Sequence, residues 1–309
     1  MMLRACIFAA AAFAALSSAA AQTPVMAVTP GGIPFAHAHL PKKANQLIAY
    51  GWRDGTALGG GAKAAAGQVA AQWISRGTLT RSAGEIDELL KDVAGSSGLF
   101  SGLELLTGSV QAPAAGFAEA VEIAADILAN PAFPERALLR IKRGYAERAR
   151  QGAENNTSIA DRMLSGLAVS DRNFLRIWSQ TDGALADSIS RADVEAWRAA
   201  VMGLDKVVVA SAGPLPAAEA GALIDKLFQG LPRTSSAPAA NPPAFTRSQK
   251  FVLLEKGGPQ SIVRMGGISG WKPGLRAFEA GLAAGILGGG GFESRLTRAI
   301  REKDRKSVV

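Results

Sequence analysis

Apolar positions along the chain alternate between the two-residue period of strands and the three-to-four-residue period of helices. Residues 46–52 predict a strand, and an alanine-rich helix follows a glycine-rich stretch, from about residue 63 to 75, ending near Gly77. Ser82 and Glu85 have the spacing of a capping box, which predicts that a further helix begins there. This alternation of strand and helix patterns predicts a mixed α/β fold.

The same two patterns continue to residue 231. Residues 99–112 and 206–212 are strand-like, the second run being rich in β-branched residues. Helical spacing recurs in further segments at 86–93, 117–128, 134–151, 190–202 and 217–228.

Residues 231–250 differ in composition, with four prolines among Ser, Thr and Ala. Such a composition is typical of an extended linker. We therefore predict a first domain at 28–230 and the start of a second domain at 251–303. In the second, a strand at 261–267 and a small-residue helix at 275–287 repeat the order of elements seen from residue 46 to 77.

The expected fold class is therefore α/β (α+β) with two homologous domains. Each domain would be a mixed, largely antiparallel sheet covered by helices. The second domain would be incomplete, because fewer residues follow the linker than precede it.

The first 21 residues have the layout of a secretory signal peptide. Arg4 precedes an apolar run at 5–16, and Ala19 and Ala21 occupy the positions that favour cleavage before Gln22. A spanning helix is the alternative, but the run is shorter than the ~20 residues that a bilayer requires. We expect a periplasmic or secreted protein that lacks cysteine once Cys6 is removed.

The last six residues, 304–309, read DRKSVV. A common sequencing adapter, GATCGGAAGAGCGTCGTG, translates to the same six residues in one frame. The expectation is that native sequence stops at about Lys303.

The formal net charge of +8 raises the question of an anionic partner. The densest basic group comprises Arg136, Arg140, Lys142, Arg143, Arg148 and Arg150. It has no interleaved aromatic residues of the kind that stack on nucleic-acid bases, so a solvated helix face is expected and no nucleic-acid partner.

Several segments together resemble one family, the pitrilysin/insulinase metallopeptidases, in particular the bacterial type similar to mitochondrial processing peptidase subunits. The segments are GGIPFAHAHLP, the helix that ends in RGT, ILANPAFPE, ISRADVEAW, VVVASAG with LFQGLP, PQSIVRMGGISG and ILGGGGFESRLTRAIREK. They extend from residue 31 to 303. The resemblance implies two homologous α/β domains per subunit.

Active members of this family carry His-x-x-Glu-His on the helix that ends at Gly-Thr, where two imidazoles hold zinc and the Glu is the general base. Here that helix reads GQVAAQWISRGT, which places Gln68 and Gln72 at the His positions and Ala71 at the Glu position. In the family a Glu further along the chain supplies the third zinc ligand, and Glu147 lies at about that place. The resemblance therefore implies a zinc site that has lost its ligands and its base, with no catalytic residue and no metal in this chain.

Two other groups were candidates for chemistry. His37 and His39, the only histidines, would point to one face of a strand and could serve a metal, although no acidic or thiol partner is close in sequence. The family also uses an Arg and a Tyr to hold the substrate peptide. Arg301 matches that Arg, and the Tyr would fall on Val308.

These features predict a non-catalytic subunit of a periplasmic heterodimeric metallopeptidase. Zinc would reside in a partner subunit of the same family, and the bound ligand would be a peptide. The alternatives are a stand-alone peptide-binding or chaperone-like protein, or a fragment without function.

Overall fold

The computed structural model describes residues 23–53, 65–102, 105–169, 183–237, 245, 250–256, 261–266, 275–289 and 294–299. The chain divides into two compact units, Met1–Gly266 and Gly267–Val309. This division falls beyond the predicted linker at 231–250, most of which lies outside the described residues. The predicted signal peptide at 1–21 and the predicted tail at 304–309 lie outside them as well.

A six-stranded sheet forms the centre of the first unit, in the order β1-β2-β6-β3-β5-β4. Strands β2 and β6 are parallel, and the other neighbours are antiparallel. The mixed, largely antiparallel sheet confirms the predicted α/β class. The strands are β1 Val25–Val28, β2 Pro34–His39, β3 Asn45–Arg53, β4 Ser96–Ser101, β5 Leu105–Pro113 and β6 Val207–Gly213.

Eight helices are described in the first unit. They are α1 Ala66–Trp73, α2 Ala83–Asp92, α3 Phe117–Ala129, α4 Glu135–Glu154, α5 Asn156–Ala168, α6 Gly183–Asp187, α7 Arg191–Val201 and α8 Ala217–Leu227. The second unit contributes α9 Leu275–Ala284 and α10 Arg295–Thr297. Ser82 and Ser190 each complete a capping box, so both helix starts predicted from the sequence are confirmed.

The two faces of the sheet carry side chains of different size. Phe35, Val209 and Tyr50 are register partners across β2, β6 and β3, and all three are buried. The neighbouring positions on the other face are Ala36, Ala210 and Ala49. Because successive side chains of a strand point to opposite faces, the large residues form the core face.

The predicted strand at 261–267 is not formed over its described residues, 261–266. Residues 250–256, an apolar run, also lack strand structure. Phe251 is 88% exposed and Met265 is 84% exposed. A strand is stable only when its backbone pairs with a neighbour, and neither segment has one among the described residues.

Candidate functional site

Helix α1 is buried on nearly all sides, although it is made of small residues. Val69, Ala70 and Trp73 have no exposed surface. The helix packs against α4, α7 and β4, and alanines allow these elements to approach closely. The chain leaves it through Gly77, whose φ of +127° is a conformation that suits glycine.

A strained turn places α4 against α1. Phe133 has φ +50°, which is uncommon for a bulky residue, and its ring meets that of Trp73 edge to face with centroids 5.1 Å apart. The indole Nε1 of Trp73 donates to the carbonyl of Pro134, 3.0 Å away. These contacts fix the start of α4 beside the end of α1.

The three positions that the family resemblance assigns to the zinc motif lie together on α1. Gln68 is 6% exposed and Ala71 is 3% exposed, while Gln72 is half-buried. Since Gln68 and Gln72 are one helical turn apart, they lie on the same face of the helix. The structure therefore presents two amides on one helix face, at the positions where the resemblance places the imidazoles.

Gln72 is held by a phenol from α4. Its Nε2 donates to the hydroxyl of Tyr145 at 3.0 Å, and it lies 3.4 Å from the carbonyl oxygen of Gln68. Burial raises the pKa of Tyr145, and Arg148 and Gln72 offset part of that effect. The burial that raises this pKa favours the neutral phenol, whose oxygen accepts the bond from Gln72.

Tyr145 was not predicted from the sequence to be a site residue. Its only signal was its place in the buried series Leu138, Ile141 and Tyr145, which has the spacing of a core-facing helix side. Whether a core tyrosine reaches a particular glutamine 73 residues away depends on how the two helices pack.

Glu147, the candidate third ligand, is bonded along its own helix. Its carboxylate accepts from Arg150 at 2.8 Å and from Gln151 at 2.7 Å, and its side chain is 49% exposed. The hydrogen bonds from Arg150 and then Gln151 lower the pKa of Glu147. The structure thus brings Tyr145, rather than Glu147, into contact with Gln72.

These residues do not fit a zinc ion. Protein zinc sites use imidazole, thiolate or carboxylate ligands, whereas positions 68 and 72 offer neutral amides and position 71 a methyl group. In the part of the chain that the structure describes, no cluster of three His, Cys, Asp or Glu residues could hold a metal.

The two histidines lie on the same face of β2, as predicted, with His37 buried and His39 exposed at the end of the strand. Their rings stack with centroids 6.3 Å apart, and His39 Nε2 lies 2.9 Å from the carbonyl oxygen of Pro214. His37 is 1% exposed, and neither ring nitrogen has a hydrogen-bond partner in the described structure. Burial lowers the pKa of His37, and the neighbouring His39 lowers it further. The backbone of Leu215 raises it in part.

Arg301 and Val308 lie outside the described residues, so the predicted substrate-binding position stays a prediction. Among the described helices, none is long and apolar enough to cross a membrane.

Solved structures with the same fold include enzymes and a protein described as inactive. A peptidase M16 inactive domain from Pseudomonas fluorescens matches with a TM-score of 0.75 and 19% identity, over 91% of this chain and 68% of that one. A protease from Helicobacter pylori matches with a TM-score of 0.60 and 14% identity, over 71% of this chain and 53% of that one.

A mutant of the ferredoxin protease FusC, in complex with Arabidopsis ferredoxin, matches with a TM-score of 0.59 and 15% identity. That match covers 75% of this chain but 25% of the protease. These identities support a common fold and no more. No curated protein matches this sequence significantly.

A family model described as "Peptidase M16 inactive domain" matches residues 188–306. The matched region begins ahead of α7 and β6 and continues into the second unit. Together with the shared fold and the altered helix α1, this match confirms that the chain resembles the pitrilysin/insulinase (M16) peptidases in their non-catalytic form.

Proposed function

We propose that the chain is a non-catalytic subunit of a periplasmic, insulinase-like zinc metallopeptidase heterodimer. The observation that supports the proposal is the buried helix α1, which the family resemblance aligns with the zinc helix and which presents Gln68, Ala71 and Gln72. An amide that is already bonded to Tyr145 offers neither a ligand nor a base for water activation. Hydrolysis would therefore require zinc and His-x-x-Glu-His from a partner chain.

In this proposal the two subunits together enclose a peptide-binding chamber, and this chain supplies part of it. Strand β4 is at one end of the six-stranded sheet, and its outer edge pairs with no strand among the described residues. An extended peptide can add to such an edge through backbone hydrogen bonds. Arg301 would contribute a positive charge to the partner's zinc site.

The periplasmic location rests on the sequence of residues 1–21, which has the charge, length and cleavage pattern of a signal peptide. Mass spectrometry of the protein recovered from the exporting cell would test it. A mature chain that begins at Gln22 is the expected result.

The catalytic part of the proposal is tested by assaying the purified full-length chain alone against a quenched fluorescent peptide mixture, with and without a metal chelator. We expect no chelator-sensitive cleavage. Cleavage should appear when a zinc subunit encoded beside this chain is added, and the two chains should elute together in gel filtration.

Chelator-sensitive cleavage by the isolated chain would refute the proposal. If the chain binds peptides saturably but elutes separately from the zinc subunit when the two are mixed, it is instead a stand-alone peptide-binding protein. Glu147→Gln provides a matched control, because Glu147 is exposed and bonded along its own helix. That variant should behave as the parent in both assays.

A further inference from the structure

Three arginines line the outward side of the first half of α4. Arg136, Arg140 and Arg143 are all exposed. None of them makes a hydrogen bond or an ion pair with a residue that the structure describes. Three like charges are therefore concentrated on one helix without visible compensation.

The other cations of α4 are satisfied. Arg150 is paired with Glu147 and Glu154 at 2.8 Å and 3.0 Å. The guanidinium of Arg148 lies 4.5 Å from the centre of the Tyr145 ring. Lys142 donates to the carbonyl of Asp187 at 2.7 Å. The basic group that the sequence predicts to be a solvated helix face thus contains three cations with described partners and three without.

The positions of the three arginines are unfavourable for the helix itself. Their spacings of four and three residues put them on one face, where like charges repel. Arg136 is in the first turn, near the positive end of the helix dipole, where a cation is disfavoured. The electrostatic arrangement of these three charges therefore does not stabilise α4.

The face is directed away from the candidate site on α1. At 3.6 residues per turn, the direction midway between Arg140 and Arg143 is roughly opposite to that of Tyr145, the residue that contacts Gln72. A ligand on this face would not compete with a peptide bound at the altered zinc helix.

Leu139 adds an apolar centre to the charged surface. Leu139 is 48% exposed, and it lines an open surface cavity of about 460 Å³ with Arg136, Arg140 and Arg143. Exposed leucine flanked by guanidinium groups combines an apolar anchor with bidentate donors for carboxylates. By helix rise, Arg136 and Arg143 are about 10 Å apart along the axis, which is two turns.

We propose that Arg136, Leu139, Arg140 and Arg143 form a docking surface for an acidic segment of another protein. That segment would carry two or three carboxylates around an apolar side chain. A nucleic acid fits less well, because the lining residues that the structure describes include no aromatic side chain to stack on bases. A membrane fits less well because a single leucine offers too little apolar surface to insert. The surface does not require the proposed subunit role.

The test uses the purified full-length chain and a fluorescein-labelled peptide of repeating Glu-Glu-Leu, with a Gln-Gln-Leu peptide of equal length for comparison. Fluorescence anisotropy should show saturable binding of the acidic peptide alone, weakening as salt is raised. The triple variant Arg136→Gln, Arg140→Gln, Arg143→Gln should lose at least tenfold in affinity. Leu139→Ser should lose about threefold.

A matched control removes the same charge elsewhere, through Lys42→Gln, Lys43→Gln and Lys91→Gln, all exposed and none on α4, and should bind as the parent. The arginine triple variant should melt at an equal or higher temperature than the parent, because repulsion among the three arginines is relieved. An unchanged or higher melting temperature shows that a loss of binding is not caused by unfolding.

Equal affinity of the two triple variants would overturn the proposal. So would a lack of saturable binding to the parent, or tighter binding of a 12-nucleotide single strand or of phosphatidylglycerol vesicles than of the acidic peptide.

Discussion

The strands of the central sheet and the segments that follow residue 250 have similar apolar sequences but opposite degrees of burial. In β3, Ile48 and Trp52 have no exposed surface, because β5 and β6 flank the strand and helices cover its core face. In the apolar run at 250–256, Phe251 is 88% exposed and Leu253 is 73% exposed. An apolar sequence shows which side chains a segment can bury. They are buried only if another strand or helix packs against the segment.

Helices show the same difference. Small residues let α1 fit among α4, α7 and β4 with hardly any exposed surface. Helix α9 is also rich in alanine and glycine, yet Phe278 is 75% exposed and Leu282 is 59% exposed. We expect this contrast in burial to be matched by a contrast in the free energy of unfolding that each side chain contributes.

The largest expected effect is in the core of the first unit. Trp52→Ala removes a fully buried indole whose Nε1 donates to the carbonyl of Gly203 at 3.2 Å. We expect a loss of about 3–5 kcal/mol in the free energy of unfolding, measured by urea denaturation. Phe251→Ala, at an exposed aromatic, should change it by less than about 0.5 kcal/mol. Equal losses would show that residue 251 is covered in solution.

A smaller effect is expected at glycines. Gly213 has φ +148°, and a Cβ there would lie 2.3 Å from Gln46 Oε1 and 2.8 Å from the backbone oxygen of Asn45. Gly213→Ala should destabilise the first unit by about 1–3 kcal/mol in the same assay. Gly281 of α9 has open space around it, so Gly281→Ala should stabilise that helix by about 0.5–1 kcal/mol, seen as increased helical circular dichroism. A loss of helix in Gly281→Ala would contradict the open surroundings of α9.

The smallest expected effect depends on pH. Both histidines are in the first unit, and burial lowers the pKa of His37 below that of an unfolded histidine, which is about 6.5. The unfolded chain then binds the proton more readily, so the stability of the first unit should fall as pH drops from about 7 through 6.5 and below. Urea denaturation at pH 7.5, 6.5 and 5.5 measures this slope.

His37→Phe should reduce the slope over that range. His39→Phe should reduce it less, because His39 is the smaller of the two causes that lower the pKa of His37. The second unit has no histidine among residues 267–309, and its unfolding should not change across this window. An unchanged slope in His37→Phe would mean that the imidazole is hydrated in solution.

Much of the local structure could be predicted from the sequence. The capping residues Ser82 and Ser190, the β-branched run that becomes β6, and the glycine that ends α1 all act within a few residues of themselves. The insertion of β6 between β2 and β3 was not predicted, because β6 is more than 150 residues from either strand in sequence. The missing strand at 261–266 was a false prediction, since a strand-like composition cannot supply the neighbour that the strand needs.

For the candidate site, the sequence by itself determined which atoms are offered: amides at 68 and 72, a methyl group at 71, and no thiol or imidazole nearby. Those identities exclude zinc ligation of normal strength by positions 68, 71 and 72, whatever the fold. Only the tertiary structure decided that Tyr145 bonds Gln72, that Glu147 bonds Arg150, and that Arg136, Arg140 and Arg143 have no described partner while Arg150 does. Donor chemistry is a property of the residue, whereas contact between distant residues exists only once helices and strands have packed.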